Sequence, residues 1–339
     1  MTLGLMTPNR FGDKNQFHSS LILSRTSKIL FSILYSAGFV LFPWEYLLGS
    51  SFPDKLNYID RFVQLQTLGV ESINPLGGIL GAFISESLWG LILYSLGMEG
   101  FSAEQTLLLI SFICLFSIVF FICSKINFAL AAIFLLNPLV VDFVMAQQRS
   151  ALVFAGFLAF VNTKVFSLRM LIVFACLFIH VAFVLLLAGF FSAQVLARLR
   201  VMNLSLFNRI VHWLIAFIAA LVLLLGKDWV LGALGDRRAG GYEGSHSIMY
   251  AFFWFAMTIY IVVFSRSRVN WLLDFLFLFM ALFMVAVLLN TYSSRYLVFA
   301  LPFFIIGLAS LPFKEAVLGY FLLFCYQFVQ WVYWWGWFI

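Results

Sequence analysis

Two arginines at the ends of apolar runs are the residues of this sequence with the clearest chemical potential. Arg149 stands in the polar tetrad 147–150, and Arg295 follows another apolar run in the stretch 291–296. The chain is 64% hydrophobic and only 10% charged, so a cation placed between such runs needs an anionic or polar partner. A guanidinium forms forked hydrogen bonds to phosphate oxygens. Two arginines on one face would therefore suit a diphosphate, although backbone carbonyls could also satisfy a buried arginine.

A glycine-rich, charged stretch supplies two more arginines. Arg237 and Arg238 lie in the loop 227–246, between two apolar runs. A loop of this composition can become ordered when substrate binds. We expect Arg237 and Arg238 to add to the same phosphate-binding field.

Acidic side chains and one histidine are the candidates for proton transfer. Asp60 and Glu86 belong to the segment 49–103, which holds many of the acidic groups of the chain. A base for a sugar hydroxyl must be a carboxylate or an imidazole within hydrogen-bond reach. His180 lies in an apolar run and is expected in the middle of a helix. The alternatives are ordinary solvated carboxylates for the acidic pair and a helix-to-helix hydrogen bond for the histidine.

Apolar runs of about 20 residues, enough to cross roughly 30 Å of hydrocarbon, must position these side chains. Together with a mean hydropathy of +1.06, they predict an all-α polytopic membrane protein of about 9–11 transmembrane helices. Two shorter or polar-interrupted stretches, 79–97 and 150–163, could instead be re-entrant or interfacial helices. The nine longer runs are 28–48, 104–124, 126–146, 168–191, 209–226, 247–264, 271–290, 296–311 and 316–338.

The distribution of positive charge does not choose between the two helix counts. With a cytoplasmic amino terminus, nine and eleven spans both place 11 of the 20 lysines and arginines inside, where the positive-inside rule expects an excess. We prefer nine spans, which give a cytoplasmic tail 1–27, one membrane domain 28–339, an outer segment 49–103 and an outer loop 227–246. Arg149 and Arg295 then share the outer face.

Several other function classes are excluded by what the sequence lacks. The net charge of +6 comes from cations scattered singly, which does not predict a nucleic-acid partner. The four cysteines fall inside apolar runs without metal-ligand spacing, so we expect no disulfide, no metal site and no cofactor. The sequence also has no Walker loop, GxSxG or HExxH motif.

The polar residues taken in order resemble the EpsG and Wzy-type polysaccharide polymerases of bacteria, over roughly residues 50–300. The resemblance is carried by Tyr58 and Asp60, Glu86 to Leu91, Gln148 to Leu152, Ile179 to Ala182, and Ser294 to Tyr296. Each motif is short, and the ordered set carries the resemblance.

This resemblance implies a glycosyltransferase of the bacterial inner membrane that acts at its outer, periplasmic face. Such an enzyme joins oligosaccharide repeat units carried on undecaprenyl diphosphate into an O-antigen, capsule or exopolysaccharide. The implied roles are diphosphate binding by Arg149 and Arg295, assistance by His180, and activation or positioning of the acceptor hydroxyl by Asp60 or Glu86. The implied partners are membrane lipid, a flippase and a chain-length regulator.

Two other functions remain open from the sequence. A flippase for the same lipid-linked units would line its path with the same arginines, but it would be expected to show paired halves, and no internal repeat is visible. Another membrane glycosyltransferase with a single-sugar lipid donor could use an acidic residue of the segment 49–103 as its base.

Overall fold

A computed structural model describes residues 24–74, 77–199, 214–222, 224–226, 248–265, 271–289 and 294–338. These residues form helices and connections, and no strand occurs among them. The first six helices are α1 Arg25–Leu41, α2 Trp44–Leu48, α3 Pro53–Leu68, α4 Gly78–Ile84, α5 Ser87–Met98 and α6 Ala103–Cys123. The next six are α7 Phe128–Leu135, α8 Pro138–Met145, α9 Gln148–Asn162, α10 Phe166–Ile179, α11 Ala182–Leu199 and α12 Leu214–Gly226. The last four are α13 Ile248–Phe264, α14 Trp271–Leu288, α15 Ser294–Ala309 and α16 Phe313–Phe338.

Three of the described helices, α6, α14 and α16, are long and apolar enough to cross a membrane. The bent pair formed by α7 and α8 would make a fourth if it counts as one span. Several further helices are apolar but shorter, among them α5, α10, α11 and α15. These features are compatible with a multi-pass membrane protein. The amino-terminal residues 1–23 and the loop 227–246, with Arg237 and Arg238, lie outside the described residues.

Several apolar runs of the sequence are broken into two helices, and the breaks carry polar residues. The run 168–191 was expected to be one helix with His180 in its middle, but the structure ends α10 at Ile179 and leaves His180 extended, with φ −163° and ψ 134°. The stretch 79–97 is likewise divided into α4 and α5, with Glu86 at the junction. A break turns the flanking side chains out of the regular helical array, so that residues from different helices can meet.

The break between α7 and α8 has a local cause and a long-range support. Proline has no N–H and disfavours a helical residue before it, so Pro138 ends α7, and the Asn137 side chain accepts from the Leu139 N–H at 2.9 Å to begin α8. The two helices are bent by 75°. Carbonyls freed by a break inside a membrane need donors, and two are supplied by α16. Gln327 Nε2 donates to Ile133 O at 2.9 Å, and Trp331 Nε1 donates to Leu136 O at 2.8 Å.

The junction between α8 and α9 is fixed against α6. The Gln148 amide donates to Leu107 O at 3.0 Å and to Ser111 Oγ at 2.8 Å, and Ser111 Oγ donates to Val144 O at 2.8 Å. Gln148 and Ser111 are both buried. Arg149, the next residue after Gln148, is therefore attached to a backbone position that three helices hold in place.

Candidate functional site

Three side chains from separate parts of the sequence meet in one buried cluster. Arg149 Nη1 donates to Glu86 Oε2, and His180 Nδ1 is hydrogen-bonded to Glu86 Oε1. Arg149 lies in the first turn of α9, Glu86 at the α4–α5 junction and His180 at the α10–α11 break. We call these three residues the Glu86 cluster. All three are predicted site residues, and the sequence contains no indication that they touch.

The pairing of α9 with α10 explains how Arg149 and His180 come to the same end of the bundle. These helices have 15 and 14 residues and are joined by the short connection 163–165, so they run antiparallel with similar lengths. Arg149 begins the first helix and His180 follows the second, which places both far from the connection. Gly156 lets the helices approach closely, because a Cβ there would lie 2.3 Å from Cys176 Sγ.

Glu86 has an unusual backbone as well as an unusual environment. Its φ of 54° and ψ of 48° are left-handed, and among the described residues it is the only non-glycine with a positive φ. Such a conformation costs about 1–2 kcal/mol for a residue with a Cβ and is typical of functional sites. The residue is also buried, with 6% of its surface exposed. A buried carboxylate is tolerated when cations and donors compensate it, as Arg149 and His180 do here.

Arg149 is held by Glu86 on one side and by an aromatic ring on another. Its Cζ lies 5.4 Å from the centroid of the Tyr58 ring, within the range of a cation–π contact. Tyr58 packs edge-on against Trp89, with centroids 5.3 Å apart, and burial raises the pKa of its hydroxyl, which therefore stays protonated. The Arg149 side chain keeps 31% of its surface accessible. The guanidinium is thus oriented by Glu86 and Tyr58, while part of it stays open to a ligand.

Arg295 belongs to the same polar region. It lies in the first turn of α15 and is half-buried. Its charge acts on His180, on Tyr58 and on Asp142. The guanidinium groups of Arg149 and Arg295 therefore both lie in the neighbourhood of Tyr58 and His180, and their sharing of one anionic ligand stays a prediction.

Asp60 has a different position from the other predicted residues. In α3 the buried residues Tyr58, Phe62 and Leu65 form the stripe that faces the bundle, whereas Asp60 is exposed. Two residues span about 200° of helical turn at 3.6 residues per turn, so Asp60 points away from the face that carries Tyr58. The structure does not bring Asp60 into contact with the Glu86 cluster.

Asp142 and Gln147 are polar residues of this region that the sequence analysis did not select. Gln147 Nε2 donates to Asp142 Oδ2 at 2.7 Å. Asp142 lies inside the apolar run 126–146, where an ionisable residue is by default a sign of function. Asp142 is therefore visible in the sequence as a charged residue inside a run whose length and apolar content predict a membrane span.

The chemistry available to this site is electrostatic and acid–base. Among the described residues no group of three His, Cys, Asp or Glu side chains could hold a metal ion. A neutral His180 that donates from Nδ1 to the carboxylate presents the lone pair of Nε2 on its other side. The oriented guanidinium of Arg149 can stabilise negative charge that develops on a departing phosphate.

In comparisons with known proteins, no family model matches the chain, and no match is found among curated proteins or solved structures. The resemblance to the EpsG and Wzy-type polymerases therefore depends on the motifs named above.

Proposed function

We propose that this protein is a membrane glycosyltransferase that polymerises oligosaccharide repeat units carried on undecaprenyl diphosphate. The observation that supports it most directly is the Glu86 cluster, in which one buried carboxylate orients Arg149 and His180 together. Arg295 acts on the same region from α15. An enzyme with a diphosphate leaving group needs fixed cations where the negative charge develops, and the two arginines meet that requirement.

In the reaction that we propose, the non-reducing sugar hydroxyl of one unit attacks the anomeric carbon of the other, and undecaprenyl diphosphate leaves with the electron pair. Arg149 and Arg295 stabilise the diphosphate, and the Nε2 lone pair of His180 accepts a hydrogen bond from a sugar hydroxyl. Glu86 positions these groups, because both of its oxygens are already engaged with His180 and Arg149. A carboxylate held by cations is a weak base, so its contribution is orientation.

The proposal includes the membrane arrangement expected from the sequence. The protein spans the bacterial inner membrane nine to eleven times, and the Glu86 cluster opens to the outer face. Re-entrant and broken helices such as α4–α5 and α7–α8 then line a polar cavity, the setting in which non-helical backbone is tolerated at membrane depth.

The test compares Arg149→Ala and Arg295→Ala with the matched control Arg169→Ala. Arg169 also lies over an aromatic ring, with Cζ 5.5 Å from the Phe160 centroid, but it is near the start of α10, about 16 Å of helix away from His180. In a deletion strain carrying each variant, we expect long-chain polysaccharide to disappear for the two site variants and to persist for the control, at equal amounts of membrane-inserted protein.

Two outcomes would contradict the proposal. Normal polysaccharide ladders from both site variants would exclude a diphosphate role for Arg149 and Arg295. A polymerase deletion strain is expected to carry lipid A capped with a single repeat unit. Loss of all surface polysaccharide in that strain would instead point to a flippase or an early transferase.

A further inference from the structure

Asp142 occupies a second polar position that the Glu86 cluster does not use. It lies on α8, the short helix between the break at Asn137 and the junction at Gln147. Gln147 Nε2 binds one of its oxygens, Oδ2, at 2.7 Å. The residue is half-buried, while most of α8 is packed.

Asp142 has less electrostatic compensation than Glu86. Among the described residues it forms no ion pair at contact distance. Arg295 attracts it from α15, whereas Asp54 of α3 repels it. A carboxylate in an apolar chain is destabilising when its only compensation is a hydrogen bond from one neutral amide and the attraction of one shared arginine. Such an arrangement is expected where the charge has a chemical task.

Asp142 keeps one carboxylate oxygen, Oδ1, for a ligand, because Gln147 binds only Oδ2. A carboxylate oxygen accepts hydrogen bonds from hydroxyl groups, so a sugar hydroxyl is the kind of ligand that suits this position.

We propose that Asp142 is the general base for the acceptor sugar hydroxyl, in a subsite formed with Gln147 where α8 packs against α15. This inference rests on the proposed glycosyltransferase function. Asp142 accepts the hydroxyl proton while the hydroxyl oxygen bonds to the anomeric carbon. The bond from that carbon to the diphosphate oxygen breaks, and the leaving group takes the electron pair. Gln147 holds Oδ2, so Oδ1 receives the proton.

The first test is Asp142→Asn, with Glu99→Gln as the matched control. Asparagine keeps the shape and can still accept the Gln147 hydrogen bond, whereas Glu99 is an exposed carboxylate at the end of α5. The assay uses purified protein in lipid vesicles with the lipid-linked repeat unit extracted from the deletion strain. We expect kcat to fall on the order of 100-fold to 10,000-fold, the usual contribution of a general base, with KM unchanged and the control normal.

Chemical rescue distinguishes a base from a residue that only supports the fold. In Asp142→Ala, sodium formate can supply a carboxylate to the space that the side chain leaves, and we expect it to raise the rate at least about tenfold, a small part of the contribution of the base. No rescue by formate, or a raised KM with normal kcat in Asp142→Asn, would overturn the assignment. A fully active Asp142→Asn beside an inactive Arg149→Ala would overturn it and leave the proposed function standing. If Arg149→Ala is also active, the proposed function fails as well.

Discussion

The close approach of α9 and α10 at Gly156 gives a sharp test of how the site is assembled. A Cβ at this position would lie 2.3 Å from Cys176 Sγ, more than about 1 Å inside the separation of roughly 3.5 Å at which non-bonded atoms pack. Cys176 is one turn before His180, and the His180 N–H donates to its carbonyl at 3.1 Å. We therefore expect Gly156→Ala to displace Cys176, and with it the end of α10 and His180, away from α9 and Arg149.

We expect Gly156→Ala to destabilise the protein by about 1–3 kcal/mol, the usual cost of overpacking. The loss of activity should be larger than that cost suggests, since a displacement of about 1 Å in a catalytic group can reduce the rate on the order of 100-fold. The measurements are the melting temperature in detergent and the rate of polymer formation in vesicles.

Cys176→Ala should restore the activity that Gly156→Ala removes. The new Cβ would be 4.0 Å from Cys176 Cβ, an ordinary contact, so Cys176→Ala takes away the clashing atom alone. We expect the double variant Gly156→Ala, Cys176→Ala to recover most of the activity. Gly38→Ala is the matched control, because a Cβ at Gly38 in α1 meets nothing within 4 Å. Full activity of Gly156→Ala, or no recovery in the double variant, would refute the view that this contact places His180.

Three other experiments test the residues that support the site. Gln148→Leu should cost about 1–3 kcal/mol, because it leaves buried partners without their hydrogen bonds; a drop in melting temperature together with lost polymer would confirm it, and an unchanged melting temperature would refute it. Gln327→Met should lower the melting temperature by a similar energy, because the carbonyl of Ile133 loses its donor, and equal stability would show that another group replaces it. Glu86→Gln and Arg149→Met should each destabilise, while the double variant should lose less than their sum by about 0.5–3 kcal/mol; strict additivity in a thermal double-mutant cycle would mean that the ion pair has no stabilising role.

Sequence reasoning could find the main site residues because polar side chains are conspicuous in an apolar chain. Glu86, Arg149 and His180 were selected for that reason, and the structure brings them together. Their mutual contact was not predictable, because it depends on where α10 ends and on the junction of α4 with α5. His180 has neither glycine nor proline beside it, so no local signal marks the break.

The end of α7 and the orientation of Asp60 are both indicated in the sequence, but the length and composition of the runs do not reveal them. Asn137 and Pro138 mark the end of α7, but the run 126–146 is apolar enough to be read as one helix. The position of Asp60 follows from the helical stripe of Tyr58, Phe62 and Leu65, which a periodicity analysis of α3 would have placed on the opposite face. Hydrophobic content predicts that a segment is buried in lipid or protein, whereas periodicity and caps determine which side chains face inward.

The positions of the breaks connect the stability of the fold with the chemistry of the site. A continuous apolar helix satisfies its own backbone and needs no outside donor, so each break in this bundle requires separate compensation. The structure supplies it at the α7–α8 break through Gln327 and Trp331, and at the α8–α9 junction through Gln148. Compensation of broken backbone explains Gln148, Gln327 and Trp331, but it does not explain the Glu86 cluster. In that cluster the strained carboxylate and the arginine are themselves the groups that need partners. These hydrogen bonds hold α8 and α9, which carry Asp142 and Arg149, so under the proposed function the broken helices would serve the reaction as well as the fold.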